Sequence, residues 1–135
     1  LACLPNKPAR SGQTQYTRLV MTVTLYGIPN CDTVKKARKW LDAQGIGHVF
    51  HDFRKDGLDA QKLAYWLAHV DMDVLLNRRG TSWRKLSDTD KANNDVAHLT
   101  ALMLDNPTLV KRPVCEKDGT VTVGFTAQVQ DILAG

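Results

Sequence analysis

One stretch organises this chain: Thr22-Val-Thr-Leu-Tyr-Gly-Ile-Pro-Asn-Cys-Asp-Thr-Val-Lys-Lys-Ala-Arg-Lys-Trp-Leu41. It begins with polar and apolar residues in alternation as far as Tyr26, a pattern typical of a β-strand. Gly27 to Asn30 reads as a tight loop, and a helix is predicted to begin at or next to Cys31. The stretch therefore predicts a strand–loop–helix unit with one thiol at the N-terminus of its helix.

The predicted position of Cys31 favours the charged form of its side chain. The first N–H groups of a helix have no partners within the helix, and the helix dipole is positive at that end. Both effects stabilise a thiolate, which is the reactive form of cysteine. The alternative interpretation is an ordinary small residue at a helix start, since free cysteines are usually buried and inert. The local pattern leaves both interpretations open.

Strand patterns recur on either side of a long helical region. His48 to Phe53 alternates again and predicts a second strand, parallel to the first because a helix connects the two. Pro113 to Glu116 and Thr120 to Val123 flank Asp118-Gly119, a pair typical of a hairpin turn. The pattern by itself indicates an α/β fold with a mixed sheet.

Helical periodicity fills most of the chain between the second strand and the hairpin. Thr126 is placed to cap one more helix after the hairpin. Trp40 and Trp66 lie beside the apolar faces of their helices and are expected in the core. The segments between strand and hairpin are a helix from Leu58 to Val70, a helical turn from Val74 to Arg79, a short helix from Thr81 to Leu86, a loop or short helix from Ser87 to Asn94, and a helix from Val96 to Leu104.

Length and composition limit the classes of function. A chain of 135 residues with 43% hydrophobic and 24% charged residues is typical of one soluble globular domain, without an apolar run that could cross a bilayer. Without the three cations of residues 1–20 the net charge falls from +4 to +1, so charge gives little support for a nucleic-acid partner. We expect residues 1–20 to be a disordered leader or an expression remnant before a native start at Met21, and residues 21–135 to be the single domain.

The cysteines indicate a reducing compartment. Cys3, Cys31 and Cys115 form no CxxC pair and no zinc-ligand spacing, which predicts a cytoplasmic protein without structural disulfides. The four histidines show no ligand spacing with carboxylates or thiols, so no metal is expected. Cys115 falls on a predicted hairpin strand and is expected to be packed there.

Three segments, in this order, resemble the ArsC/Spx family of thioredoxin-fold proteins: Tyr26 to Ala37, Leu75 to Leu86 and Leu109 to Val114. The best match is the YffB-type branch, arsenate reductase-related proteins proposed to be glutathione-dependent thiol reductases. The resemblance covers about Met21 to Gly135. It implies a thioredoxin/glutaredoxin-like fold with a mixed sheet and a helical insertion between Leu58 and Leu104.

The resemblance also implies which residues form the active site. Cys31 takes the position of the nucleophile, and Arg112 precedes Pro113 in what is a cis peptide facing the active cysteine in related proteins. Arg112 is then expected to stabilise the thiolate and to bind a carboxylate or oxyanion. The second arginine of the family falls at Asn77, and a shift of register would let Arg78 serve. These residues are expected to bind glutathione or substrate.

The residues next to this constellation are more ambiguous. Asn30 is expected to cap the predicted helix and to belong to the glutathione site, and Thr33 to form a hydrogen bond with the sulfur of Cys31. Arg79 belongs to the same basic run as Arg78, and such a run is most often a solvated face. Trp83 is expected to pack, with the lining of a cleft as the alternative.

The chain departs from its family at three positions. Val34 stands where the CxxC branch has a second cysteine, so a resolving thiol must come from outside, with glutathione as the natural co-substrate. Gly27 replaces a histidine that arsenate reductases carry, and Gly124 stands near the place of their third arginine. Because electrostatic groups supply much of catalysis, efficient arsenate reduction is in doubt.

Three functions remain in competition. The first is a cytoplasmic glutathione-dependent thiol/disulfide reductase with Cys31 as nucleophile and an external thiol as resolver. The second is an Spx-like regulatory protein that binds RNA polymerase. The third is arsenate reductase proper. In each case the protein is expected to be a monomer.

Overall fold

The computed structural model describes residues 22–135. The predictions about residues 1–20, including Cys3, and about a start at Met21 lie outside the described residues. Within them the elements are β1 Val23–Gly27, α1 Asp32–Ala43, β2 His48–Asp52, α2 Ala60–Leu67, α3 Met72–Leu75, α4 Thr81–Arg84, α5 Asp88–Ala92, α6 Val96–Asp105, a 3-10 turn Pro107–Leu109, β3 Val114–Lys117, β4 Thr120–Val123 and α7 Ala127–Ala134.

The four strands form one mixed sheet in the order β2-β1-β3-β4. β1 runs parallel to β2 and antiparallel to β3, and β3 pairs with β4 as a hairpin. Asp118 and Gly119 have φ of 49° and 81°, the left-handed backbone that a tight hairpin turn requires. The predicted mixed sheet, the parallel first pair and the Asp-Gly hairpin are confirmed.

Helices cover both faces of this sheet because neighbouring residues of β1 point to opposite sides. Val23 and Leu25 pack with buried residues of α1 and α7. Tyr26 packs on the other side with Leu63 and Trp66 of α2 and with buried residues of α3 and α6. The helical insertion therefore covers the face opposite α1.

A partly buried carboxylate joins the sheet to the insertion. Glu116 of β3 accepts hydrogen bonds from Tyr26 Oη at 3.2 Å, Lys62 Nζ at 3.0 Å and Trp66 Nε1 at 2.7 Å. Burial, together with the nearby Glu116 charge, raises the pKa of Tyr26 above its usual value. The three bonds satisfy polar groups that would be costly to leave unpaired beside an apolar core.

Several helix predictions need correction. The helix predicted from Leu58 is shorter, because Asp59 caps it by accepting from Lys62 N at 2.8 Å. The expectation that Trp66 lies in the core is confirmed, since it is fully buried, whereas Trp40 is half-buried and packs on Phe125. Val96, at the start of α6, is 58% exposed.

The prediction of a helical turn from Val74 to Arg79 is wrong. α3 ends at Leu75, and Leu76 is extended and forms an isolated antiparallel bridge with Val110. Lys111 N donates to Leu75 O at 2.8 Å on the same segment. Pairing with a distant part of the chain replaces the local helical bonds.

The remaining local predictions agree with the structure. Ser87 caps a short helix, and Thr126 caps α7 by accepting from Val129 N at 3.3 Å. None of the helices in residues 22–135 has the length and apolarity required to span a bilayer.

Candidate active site

Cys31 lies at the junction between the loop after β1 and the first turn of α1. Its backbone is extended, with φ −94° and ψ 125°, and its carbonyl accepts from Lys35 N at 3.0 Å. Cys31 is thus the N-cap residue of α1. The prediction that Asn30 caps this helix is wrong, because the helix begins one residue later than such a cap requires and Asn30 is exposed in the turn before it.

The surroundings of the Cys31 sulfur lower the pKa of its thiol. Partial burial alone would raise that pKa, but the backbone N–H groups of Val34 and Thr33 and the guanidinium of Arg112 outweigh the burial. The side chain of Cys31 accepts no capping hydrogen bond within residues 22–135, so the predicted hydrogen bond between Thr33 and the sulfur is not found, although the Thr33 backbone N–H helps to lower the pKa of the thiol. The net result is a half-exposed thiol whose pKa is below its ordinary value, which favours the reactive thiolate.

Arg112 is held beside Cys31 by the chain on which it lies. Its Nη1 donates to the carbonyls of Thr108 at 2.9 Å and Val110 at 3.3 Å. Its Nε is buried and forms no hydrogen bond within residues 22–135. The Arg112–Pro113 peptide is cis, as the resemblance implied. The structure therefore brings Cys31 and Arg112 together and fixes the guanidinium through the backbone carbonyls of its own segment.

Cys115 is in a different environment from Cys31. It is fully buried in β3, where it pairs with Leu25 of β1 and Thr122 of β4. Burial raises the pKa of its thiol to about 12, although Thr122 acts in the opposite direction. The expectation of a packed strand cysteine is confirmed.

The floor beneath the Cys31 loop is closely packed. Val34 is fully buried, at the position where a second cysteine would stand in a CxxC sequence. A Cβ atom on Gly27 would lie 2.7 Å from Cγ2 of Val34, which is closer than real carbon contacts. Gly27 and Val34 thus fill one space together.

The remaining predicted site residues do not form one cluster with Cys31 in the described contacts. Asn77 lies after α3, where its N–H donates to Leu109 O at 2.7 Å and its Oδ1 accepts from Arg79 N at 3.1 Å. Arg78 forms an ion pair with Asp73 and lies over the Trp83 ring, with 5.5 Å between guanidinium carbon and ring centroid.

Pro113 is buried and follows Arg112 directly. Its carbonyl accepts from Gly124 N at 2.9 Å, and Gly124 has a φ of +87°. Side chains rarely adopt that conformation, so an arginine at this position would be strained. Trp83 packs partly buried against the core, which agrees with the expectation of packing.

Sequence analysis grouped Arg79 with Arg78 in one basic run but missed Lys111 as a neighbour of that run. Arg79 and Lys111 line a cavity together with Arg78. The signal available in the sequence was the pair Lys111-Arg112, but nothing in it showed that the two side chains serve different surfaces. Residues 22–135 contain no group of three or more histidine, cysteine or acidic side chains arranged to hold a metal ion.

The mixed sheet, the helices on both of its faces and a cysteine at the first loop–helix junction define a thioredoxin-like protein. A model of the ArsC family matches residues 26–132, which is most of the chain. The chain belongs to the ArsC family. Both the resemblance and the thioredoxin-like fold inferred from it are confirmed.

Solved structures and curated relatives agree with this assignment. The chain is 42% identical to the YFFB protein, with a TM-score of 0.79, covering 84% of this chain and 99% of that one. It is 50% identical to an arsenate reductase (ArsC) related protein from Brucella melitensis, with a TM-score of 0.69 and coverages of 82% and 92%. It is 28% identical to the global transcriptional regulator Spx of Streptococcus mutans, over 76% of each chain.

Proposed function

We propose that this protein is a thiol/disulfide reductase that uses Cys31 as nucleophile and glutathione as the resolving thiol. The observation that carries the proposal is the half-exposed Cys31 sulfur, whose pKa is lowered by two backbone N–H groups and by Arg112. A thiolate of this kind attacks a disulfide sulfur, whereas a neutral buried thiol does not.

The reaction takes two exchanges. The Cys31 thiolate attacks the glutathione sulfur of a mixed disulfide, forms a Cys31–glutathione disulfide and releases the substrate as a thiolate that takes up a proton. The thiolate of a second glutathione then attacks the glutathione sulfur of this intermediate. It releases glutathione disulfide and regenerates the Cys31 thiolate. In the net reaction one free glutathione is consumed, the substrate sulfur is reduced to a thiol, and the glutathione first bound to the substrate leaves as one half of glutathione disulfide.

An external resolving thiol fits the positions of the other side chains. Val34 occupies the place of a CxxC partner, and Cys115 is buried in the sheet with a pKa of about 12. Neither position offers an accessible thiolate to the intermediate. A reducing compartment such as the cytoplasm supplies glutathione for this step.

Arg112 supports an anionic substrate. Its guanidinium is partly exposed beside the Cys31 thiol and carries a positive charge, and hydrogen bonds between such a cation and an anion are strong. A carboxylate of glutathione or the thiolate that leaves during exchange has the required charge. We assign Arg112 to both stabilisation of the Cys31 thiolate and binding of this anion, next to Pro113.

Two residues oppose arsenate as the main substrate. Gly27 and Gly124 stand where arsenate reductases are expected to carry a histidine and an arginine, and neither glycine offers a side chain to an oxyanion. With Arg112 as the single guanidinium beside the sulfur in the described contacts, thiol exchange is the better supported reaction.

The test uses the mixed disulfide of glutathione and mercaptoethanol, in a Cys3→Ser background. We expect turnover that requires glutathione, and mass spectrometry should find one glutathione on the peptide that contains Cys31. Cys31→Ser should abolish both signals. Cys115→Ala is the matched control and should retain turnover if it remains folded. Loss of turnover in a folded Cys115→Ala protein, or its persistence in Cys31→Ser, would contradict the mechanism.

A regulatory role is the second candidate, favoured by the similarity to the transcriptional regulator Spx. In that case the protein binds RNA polymerase, and its effect on transcription does not require turnover. Retention of the protein on immobilised polymerase, equal for wild type and Cys31→Ser, would favour this candidate. Turnover of the glutathione mixed disulfide without such retention would favour the reductase.

A further inference from the structure

A basic cavity lies on the chain segment that carries Arg112, outside the contacts that surround Cys31. Its volume is about 430 Å³, and its lining combines three cations with one carboxylate and one buried leucine. The lining residues, called the basic groove from here on, are Asp73, Leu76, Arg78, Arg79 and Lys111.

Two of these cations have no carboxylate partner in the described part of the chain. Arg78 forms an ion pair with Asp73, which neutralises both groups. Lys111 Nζ donates to the backbone carbonyl of Asp73 at 3.5 Å, and the Arg79 guanidinium is exposed without a partner among residues 22–135. The basic groove therefore has a net charge of two positive units that a bound anion would neutralise.

A second cavity continues the basic groove on the other side of the Arg78–Asp73 ion pair. Its volume is about 460 Å³, and its lining mixes charged, polar and apolar side chains. Val96, 58% exposed, is the most open apolar side chain there. The lining residues, called the mixed groove, are Asp71, Met72, Asp73, Arg78, Asn94, Val96 and Leu99.

The basic groove lies next to the chain segment that places Arg112 beside Cys31. Segments 75–77 and 109–111 pair as extended chains, with Leu76 bridged to Val110. On such a chain consecutive side chains point to opposite sides. Lys111 accordingly contacts the carbonyl of Asp73, while Arg112 lies beside Cys31. Consecutive Cα atoms are about 3.8 Å apart, so the groove begins one residue away from the active-site arginine.

We propose that the two grooves together bind an acidic, extended segment of a protein substrate whose nearby cysteine carries the mixed disulfide that Cys31 attacks. The proposal rests on the proposed reductase function and adds its substrate class. Acidic side chains of the segment pair with Arg79 and Lys111 in the basic groove, and one apolar side chain contacts Val96 in the mixed groove. A single small anion would use the basic groove alone and leave the mixed groove empty.

The test compares two short synthetic peptides, each with one cysteine in a mixed disulfide with glutathione. One peptide has aspartate and glutamate residues followed by a leucine, and the other has asparagine and glutamine at the same positions. We expect wild type to have the higher kcat/KM on the acidic peptide. Arg79→Ala with Lys111→Ala should lower that kcat/KM by about three- to tenfold and leave the neutral peptide unchanged, since exposed ion pairs are individually weak.

The matched control removes the same charge elsewhere. Arg54→Ala with Lys55→Ala lies in the exposed loop after β2, outside both grooves, and should leave both peptides unchanged. Higher salt should reduce the preference of wild type for the acidic peptide. Equal rates on the two peptides with wild type, or an equal fall for both peptides in the groove variant, would overturn the proposal.

A binding measurement separates this proposal from the chemistry. The unmodified acidic peptide, labelled with fluorescein, is titrated with Cys31→Ser protein and followed by anisotropy. Weaker binding after Arg79→Ala with Lys111→Ala would support the groove even if no peptide were turned over, in which case the reductase proposal alone would fail. Binding no tighter than that of the neutral peptide, or complete displacement by millimolar inorganic phosphate, would overturn peptide docking in favour of no site or of a small-anion site.

Discussion

Cys31 and Cys115 are the same side chain in two regions of one molecule, and their chemistry differs completely. Both contact the apolar cluster formed by β1, α1 and α7. Cys31 ends a loop, where unpaired helix N–H groups and Arg112 lower the pKa of its thiol. Cys115 lies inside a strand, where burial raises the pKa of its thiol to about 12. Burial of Cys115, and the helix N–H groups and Arg112 beside Cys31, shift the pKa values of the two thiols in opposite directions.

The largest difference is expected in the reactivity of Cys115 before and after unfolding. In Cys3→Ser/Cys31→Ser protein, alkylation of Cys115 by iodoacetamide should be about a thousandfold slower in buffer than in denaturant, because modification requires opening of the sheet. Mass spectrometry of timed samples measures both rates. Rapid alkylation in buffer would show that β3 does not protect its cysteine.

The same burial gives stability a dependence on pH. Burial raises the pKa of the folded Cys115 thiol to about 12, whereas the pKa of an unfolded cysteine is about 8.5. Above the unfolded pKa the folded state binds the extra proton, so this group should lower stability progressively as pH rises. Urea midpoints between neutral and alkaline pH, compared with those of Cys115→Ala, measure that contribution.

The second effect is the loss of the fast-reacting thiol in Cys31→Ser. In a Cys3→Ser background the rate of alkylation near neutral pH should fall by about a hundredfold or more, because the remaining thiol is neutral and buried. The urea midpoint should change little, since Cys31 is half-exposed. A variant that still reacts rapidly would assign the reactive thiolate to Cys115 and reverse the comparison.

The third effect concerns the packing under the Cys31 loop. Gly27→Ala should lower the free energy of unfolding by about 1–3 kcal/mol, because the new methyl group meets Val34 at 2.7 Å. Gly27→Ala with Val34→Ala should cost less than the two single changes added together, because the smaller side chain leaves room. Gly47→Ala is the control, since the nearest atom to its Cβ is 3.9 Å away. Additive costs in urea unfolding would show that residues 27 and 34 do not share one space.

The smallest effect is expected from Arg112→Gln. Because the backbone N–H groups of Val34 and Thr33 remain, the midpoint of Cys31 alkylation against pH should rise by less than about one pH unit, or less than tenfold in reactivity at neutral pH. Arg112→Lys should keep part of the effect. An unchanged midpoint in Arg112→Gln would show that the helix N–H groups alone lower the pKa of Cys31.

The lowered pKa of Cys31 also affects folding stability. It contributes stability above the unfolded pKa, and that contribution is lost as pH falls through the folded pKa.

Local sequence patterns predicted the parts of the fold that depend on neighbouring residues. The strand before Gly27, the hairpin at Asp118-Gly119 and the Thr126 cap all depend on positions a few residues apart. The segment from Val74 to Arg79 could not be predicted in this way, since its conformation is set by pairing with Val110, far along the chain.

In the candidate site, too, local patterns predicted some features and distant parts of the chain determined the others. The strand–loop–helix pattern was enough to place Cys31 at a helix N-terminus. The prediction that Arg112 lies beside Cys31 came from the family resemblance, because no local sequence pattern connects two residues so far apart in the chain. Asp73 pairs with Arg78, and nothing in the sequence distinguished this carboxylate from the other acids of the insertion.

The three hydrogen bonds to Glu116 have a consequence for how the molecule opens. They connect the central strands to α2 through one carboxylate, and bonds to a charged group are stronger than those between neutral groups. Separation of the insertion from the sheet would leave the Glu116 carboxylate and the fully buried Trp66 without their hydrogen-bond partners. The insertion and the sheet should therefore exchange their amide hydrogens as one cooperative unit.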